Sequence, residues 1–114
     1  MKVERFEDIK SWQKAKELTT LIYKIFSKNK DFAFKSQIQR ASVSVMNNIA
    51  EGFERKSNNE FKQFMFIAKG SCGEIRSMLY LAYELGTISQ EEFNKTLKLS
   101  EEISKLLSGF IKTL

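Results

Sequence analysis

A chain of 114 residues and 13.3 kDa has the length of one domain and can bury roughly two-thirds of its extended surface in a core. Its 42% hydrophobic and 29% charged residues are those of a soluble globular protein, no apolar run approaches the ~20 residues that span a bilayer, and the start Met1-Lys2-Val3-Glu4-Arg5-Phe6-Glu7-Asp8 is acidic where a signal peptide is apolar, so a cytoplasmic protein with no membrane partner is expected. With no histidine and one cysteine, a Ser-His-Asp or Cys-His centre, an internal disulfide and a usual zinc site are excluded, and no cofactor or metal is expected.

The net charge of +5 is unevenly spread. Residues 1–50 carry ten Lys/Arg against five Asp/Glu, whereas residues 51–86 and 87–114 are balanced. A localised basic excess favours an anionic partner such as nucleic acid, although many small proteins are mildly basic without binding anything.

Proline is absent and glycines number only five, which predicts long helices with few breaks. The first runs from about Phe6 or Asp8 to Ser27, with Ile9, Trp12, Ala15, Leu18, Leu21, Ile22, Ile25 and Phe26 at helical spacing. Trp12 reads as a core plug in preference to a stacking platform. Lys28-Asn29-Lys30-Asp31 breaks the chain, and Asn29 or Asp31 caps a second helix from Phe32 to Gly52 or Phe53.

That second helix is amphipathic twice over. Ile38, Ala41, Val45, Ile49 and Gly52 face a core, while Arg40, Ser44, Asn47 and Glu51 form a wholly polar row. Short amides and hydroxyls lose little entropy when fixed, so the row suits either binding or a hydrogen-bond network between helices.

Ser57-Asn58-Asn59-Glu60 is a capping box that opens a third helix, Asn58 to Leu85. Its core stripe is Phe61, Phe64, Met65, Ala68, Cys72, Ile75, Leu79 and Ala82, yet Phe66, Ile67, Met78, Tyr80 and Leu81 lie outside it. A helix apolar on so much of its circumference is central or shared with another subunit. Gly70 and Gly73, costly inside a helix, point to the close approach of another backbone. Cys72 reads as small core filler, a reactive thiol being the less economical choice. Gly86 stops the helix, and a second capping box, Ser89 to Glu92, starts the fourth, whose inward row is Phe93, Leu97, Ser100, Ile103, Leu107, Phe110 and Leu114. Four such helices with short loops predict a single all-α domain over residues 1–114, an antiparallel up-down-up-down four-helix bundle.

Two constellations carry possible chemistry. On the third helix Lys62, Lys69 and Arg76 recur every seven residues and so share one ridge, interleaved with Phe66, Gly73 and Tyr80. Such a ridge can hold phosphates and stack unpaired bases, or its lysine stems can lie over a subunit contact into which the aromatics pack. Glu51 and Glu74 could form a carboxylate pair, but ion pairs with Arg40, Arg55 or Arg76 explain both more simply. No phosphate loop, zinc spacing or nucleophile elbow is present.

Gln37-Ile38, Arg40-Ala41, Ser44 and above all Asn48-Ile49-Ala50-Glu51-Gly52, followed by Glu60-Phe61, Phe64, Ile67-Ala68, Gly70-Ser71, Glu74 and Leu85-Gly86, make this chain resemble the bacterial four-helix-bundle proteins linked to ribosomal RNA intervening sequences. The likeness extends to Phe6-Glu7-Asp8 and Trp12-Gln13-Lys14-Ala15. It implies a bundle that assembles into a ring-shaped homopentamer without enzymatic activity. Some members are encoded within insertions of the large-subunit ribosomal RNA gene, and a related group consists of accessory proteins of diversity-generating retroelements that bind nucleic acid and a reverse transcriptase. Where the family usually has proline this chain has Met46, which lets the helix keep its backbone hydrogen bond and relaxes any kink used to aim Asn48 and Glu51.

The leading expectation is therefore a homo-oligomeric bundle that binds RNA or other nucleic acid. Arg40, Lys62, Lys69 and Arg76 would contact phosphate; Gln37, Ser44, Asn48, Glu51 and Glu74 would form a polar site or interface; and Phe66, Gly70, Gly73 and Tyr80 would meet another subunit. The alternative is a protein-docking adaptor, such as a reverse-transcriptase accessory subunit, with its positive charge incidental.

Overall fold

In the computed structural model, which describes residues 3–114, a short 3-10 turn at Phe6–Asp8 leads into four helices: α1 (Lys10–Ile25), α2 (Phe32–Phe53), α3 (Asn58–Glu84) and α4 (Gln90–Ile111), with no strand among the described residues. The continuous first helix expected from Phe6 or Asp8 is interrupted. Ile9 is extended, with ψ 122°, so that its side chain enters the core, and the Gln13 side-chain amide donates to the Glu7 carbonyl at 2.9 Å.

The other helix starts follow local chemistry. Asp31 accepts from the Phe34 N–H, Ser57 from that of Glu60, and Ser89 from that of Glu92. At Ser89 the box is complete, because the Glu92 carboxylate also accepts from the Ser89 N–H. At Ser57 it is half-formed. There the Glu60 carboxylate accepts from the Ser57 hydroxyl at 3.2 Å, so the side chain satisfies its neighbour instead of the backbone. α3 ends in a Schellman turn: Gly86 has φ +72°, Gly86 N–H donates to the Tyr83 carbonyl, and Thr87 N–H to that of Ala82.

Each helix packs against two others, α1 and α3 both meeting α2 and α4, with α2 against α3 the most extensive contact. The body measures 43 × 22 × 19 Å, its long axis matching the ~40 Å that a helix of α3's length spans at 1.5 Å per residue. Leu18 and Ile22, Ile38, Val45 and Ile49, Met65, Ile75 and Leu79, and Ile103 and Leu107 fill the centre. α4 is rotated from its expected register. Thr96, Leu99, Ser100, Ile103, Leu107 and Ile111 are buried, while Phe93, Leu97, Phe110 and Leu114 are only partly so. Thr96 tolerates burial because its hydroxyl donates to the Glu92 carbonyl at 2.7 Å, and Phe93 is drawn outward by stacking on Tyr83 at 4.5 Å.

At Gly52 α2 comes too close to α3 to leave room for a side chain. A Cβ there would stand 2.7 Å from the Phe64 Cβ and 2.9 Å from Phe61 Cδ1. Phe64, expected in the core stripe, is half-buried over this glycine, with the Arg55 guanidinium 4.8 Å above its ring. α2 runs uninterrupted through Met46. Among the described residues no helix is long and apolar enough to cross a membrane.

Candidate nucleic-acid interface

Because α3 is one continuous helix, residues seven apart stay within about 20° of one another, so Lys62, Phe66, Lys69, Gly73, Arg76 and Tyr80 share one ridge. It borders α4. The Tyr80 ring stands edge-on to Phe93 at 5.3 Å, so the tyrosine is braced from below while 55% exposed. Phe66 is 52% exposed and Lys69 is exposed; Lys62 and Arg76 are half-buried.

Arg76 is the unusual member. Its Nη1 is buried and has no hydrogen-bond partner, and its Nη2 lies 3.9 Å from where a Gly73 Cβ would stand. The guanidinium thus folds back over Gly73, close enough to Cys72 to draw that thiol's pKa down. Burial outweighs this and pushes Cys72 up to about 12. A guanidinium is always charged, so an arginine nitrogen shut away from water without an acceptor is a cation for which the fold supplies no partner.

Within this chain neither Gly70 nor Gly73 has another backbone against it, so the close approach expected from sequence is not made by the chain's own helices. A Cβ on Gly70 would meet nothing within 4 Å. The physical reason is the register of α3: it comes too close to α2 for a side chain at the buried Gly52, beside the loop that joins the two helices, while Gly70 is exposed and Gly73 lies under the Arg76 side chain. Ile67 and Leu81, 53% and 49% exposed, stand on the same outward side as Gly70. Among the described residues, five of the eight large exposed apolar side chains belong to α3, so its surplus apolar surface is left uncovered by the other helices.

The polar residues of α2 divide. Gln37 donates to the Glu74 carboxylate at 3.0 Å, the Ser44 and Ser71 hydroxyls pair at 3.0 Å, and Asn48 donates to both the carbonyl and the hydroxyl of Ser44. These form a hydrogen-bonded seam between α2 and α3. Arg40, Asn47 and Glu51 remain exposed on α2. Arg40 therefore stands on the helix that borders the opposite flank of α3 from the ridge. Glu51 and Glu74 are not brought together. Glu51 pairs with Arg55 at 2.7 Å, Glu74 with Gln37, and 14 residues of α2 separate those two anchor points, about 21 Å at 1.5 Å per residue. Ser71, which completes the seam, was not apparent from sequence.

The family model described as 23S rRNA-intervening sequence protein matches residues 7–109. A crystal structure of a protein of unknown function from the S23 ribosomal protein family of Bacteroides thetaiotaomicron superposes with a TM-score of 0.84 at 29% identity, covering 90% of this chain and 98% of that one. No curated protein matches the chain. With all but a few residues at either end inside the match, this chain belongs to the 23S rRNA-intervening sequence protein family.

Proposed function

We propose that this chain is a non-catalytic, cytoplasmic up-down-up-down bundle that assembles with copies of itself and holds single-stranded RNA along the α3 ridge. The up-down order is supported by the pairs that touch. Thr19 with Ser42 and Phe26 with Phe34 have nearly constant number sums across α1 and α2, as do Ser44 with Ser71 and Gln37 with Glu74 across α2 and α3, and Ser100 with Cys72 and Phe93 with Tyr80 across α3 and α4. Constant sums belong to helices that run in opposite directions.

The observation that carries the RNA reading is the unpartnered Arg76 guanidinium, set with Lys69 between two exposed aromatic rings. A phosphate beside Lys69 can pair with this guanidinium through its nitrogens other than the shielded Nη1, and unpaired bases have faces for Phe66 and Tyr80 to stack on, which paired bases do not. Self-assembly is supported by the outward strip of Gln63, Ile67, Gly70, Glu74, Ser77 and Leu81, whose alternating spacing of four and three is that of a helix–helix seam. Phe66 and Tyr80 then serve RNA instead of the subunit contact, and Gly70 serves the contact. A five-membered ring is the assembly the family resemblance implies.

The adaptor reading draws on that same strip, which has no cation and suits a partner protein such as a reverse transcriptase. Fluorescence anisotropy with a labelled single-stranded RNA and its duplex separates the two. Saturable binding of the single strand, at least about tenfold tighter than of the duplex, supports RNA capture. Binding of neither, with a partner protein retained after nuclease treatment, favours the adaptor.

A further inference from the structure

Between the amino-terminal turn and the last turns of α4 lies a trough of about 350 Å³, within the range of small-ligand sites. Its walls are largely apolar, including Ile9, Leu106 and Phe110. The first turn of α1 lines it through Lys10 and Ser11. The first N–H of α1 bonded within the helix is that of Gln13, to the Ile9 carbonyl, so those of Lys10, Ser11 and Trp12 have no intrahelical acceptor, and Ile9 at the cap has no side-chain oxygen to offer them. The second, independent feature is Ser11. It lines the trough, is 2% exposed, and its hydroxyl has no hydrogen-bond partner.

Charge at the mouth favours an anion. Lys10 and Lys105 line it, both exposed, and neither is paired with a carboxylate among the described residues. Asp8, on the same rim, is met by Arg5 at 4.0 Å. Gly109 keeps the α4 side open: a Cβ there would touch nothing within 4 Å. Glycine is among the worst residues for a helix interior, and here nothing within the chain requires it.

We propose that this trough binds a small aliphatic carboxylate. The hydrocarbon lies along Ile9, Leu106 and Phe110, and the carboxylate sits at the amino end of α1, taking the Ser11 hydroxyl and the unspent N–H groups as donors with Lys10 and Lys105 beside it. The site is separate from the α3 ridge and does not depend on RNA binding.

Isothermal titration of the full chain with decanoate, and with decan-1-ol as its uncharged counterpart, tests this. One decanoate per chain is expected to bind, half-saturating below about 1 mM, with the alcohol at least about tenfold weaker. Gly109→Leu fills the trough and is expected to abolish binding while thermal melting confirms an intact fold. Lys105→Glu is expected to weaken decanoate about tenfold and leave the alcohol unchanged. Ser11→Ala separates a ligand role from a structural one: removing an unpartnered buried hydroxyl leaves the melting temperature the same or higher, yet decanoate affinity falls. No saturable heat, equal affinity for acid and alcohol, or decanoate binding untouched by a folded Gly109→Leu variant would each overturn the proposal.

Discussion

On its inner side α3 holds Met65, Cys72, Ile75 and Leu79 at 0% exposure, whereas on its outer sides Phe66, Ile67, Tyr80 and Leu81, no less apolar, stand about half exposed. The inner set has α2 and α4 to fill against, and the outer set has only α4 brushing one edge. A helix in a four-membered bundle can bury one stripe, roughly a third of its circumference, and any apolar residue beyond that is surplus to the fold of one chain. The difference therefore separates what holds the molecule together from what it has left to offer another.

The contrast sharpens first at Cys72. With its pKa raised from 9.0 to about 12, the folded thiol should carry about a thousandfold less thiolate at pH 8 than an unfolded one. A disulfide exchange reagent such as DTNB should accordingly label it only as fast as the chain opens. The same shift makes stability pH-dependent in one direction: the contribution is fully present below pH 9 and declines as pH rises from there towards 12, because the unfolded chain ionises first. Rapid labelling of the native chain would place Cys72 outside the core.

The next pair compares two leucines two residues apart. Leu79→Ala should cost about 3 kcal/mol in chemical denaturation, since it empties a fully buried site. Leu81→Ser should cost under about 0.5 kcal/mol in the same measurement while weakening self-association seen by light scattering. Equal losses from both would erase the distinction between the two sides.

Gly52→Ala should destabilise by about 2 kcal/mol, because the Phe64 Cβ, 2.7 Å away, is fixed to its backbone and cannot swing aside as the Phe61 ring can. Gly70→Ala, where nothing stands within 4 Å, should instead stabilise the single chain by about 1 kcal/mol. The seam between α2 and α3 offers a loss of similar size: Ser71→Ala leaves the Ser44 hydroxyl with Asn48 alone and should cost about 1 kcal/mol.

Much of this architecture can be read in the residues because its determinants are local. Asp31, Ser57, Ser89 and Gly86 mark helix ends within a few positions of themselves, and the buried rows of α2 and α3 follow helical spacing. The register of α4 could not be read the same way. A threonine looks polar until its hydroxyl is seen bonded to its own helix, and Phe93 looks like core until Tyr80 and Tyr83 compete for its ring. The ridge itself follows from sevenfold spacing. That Arg76 lacks an acceptor, and that Gln37 and Ser44 find Glu74 and Ser71, depend on how two helices slide past each other, which no single helix encodes.

The central claim is that the basic ridge of α3 meets phosphate. Its most direct test is the affinity for single-stranded RNA measured across a range of salt, for the native chain and for Lys62→Glu/Lys69→Glu. Each phosphate contact on a single strand contributes a slope of about −0.7 in log K against log salt, so the double variant should flatten the slope by about 1.4 while melting like the native protein. A slope left unchanged by these substitutions, or binding indifferent to salt, would contradict it.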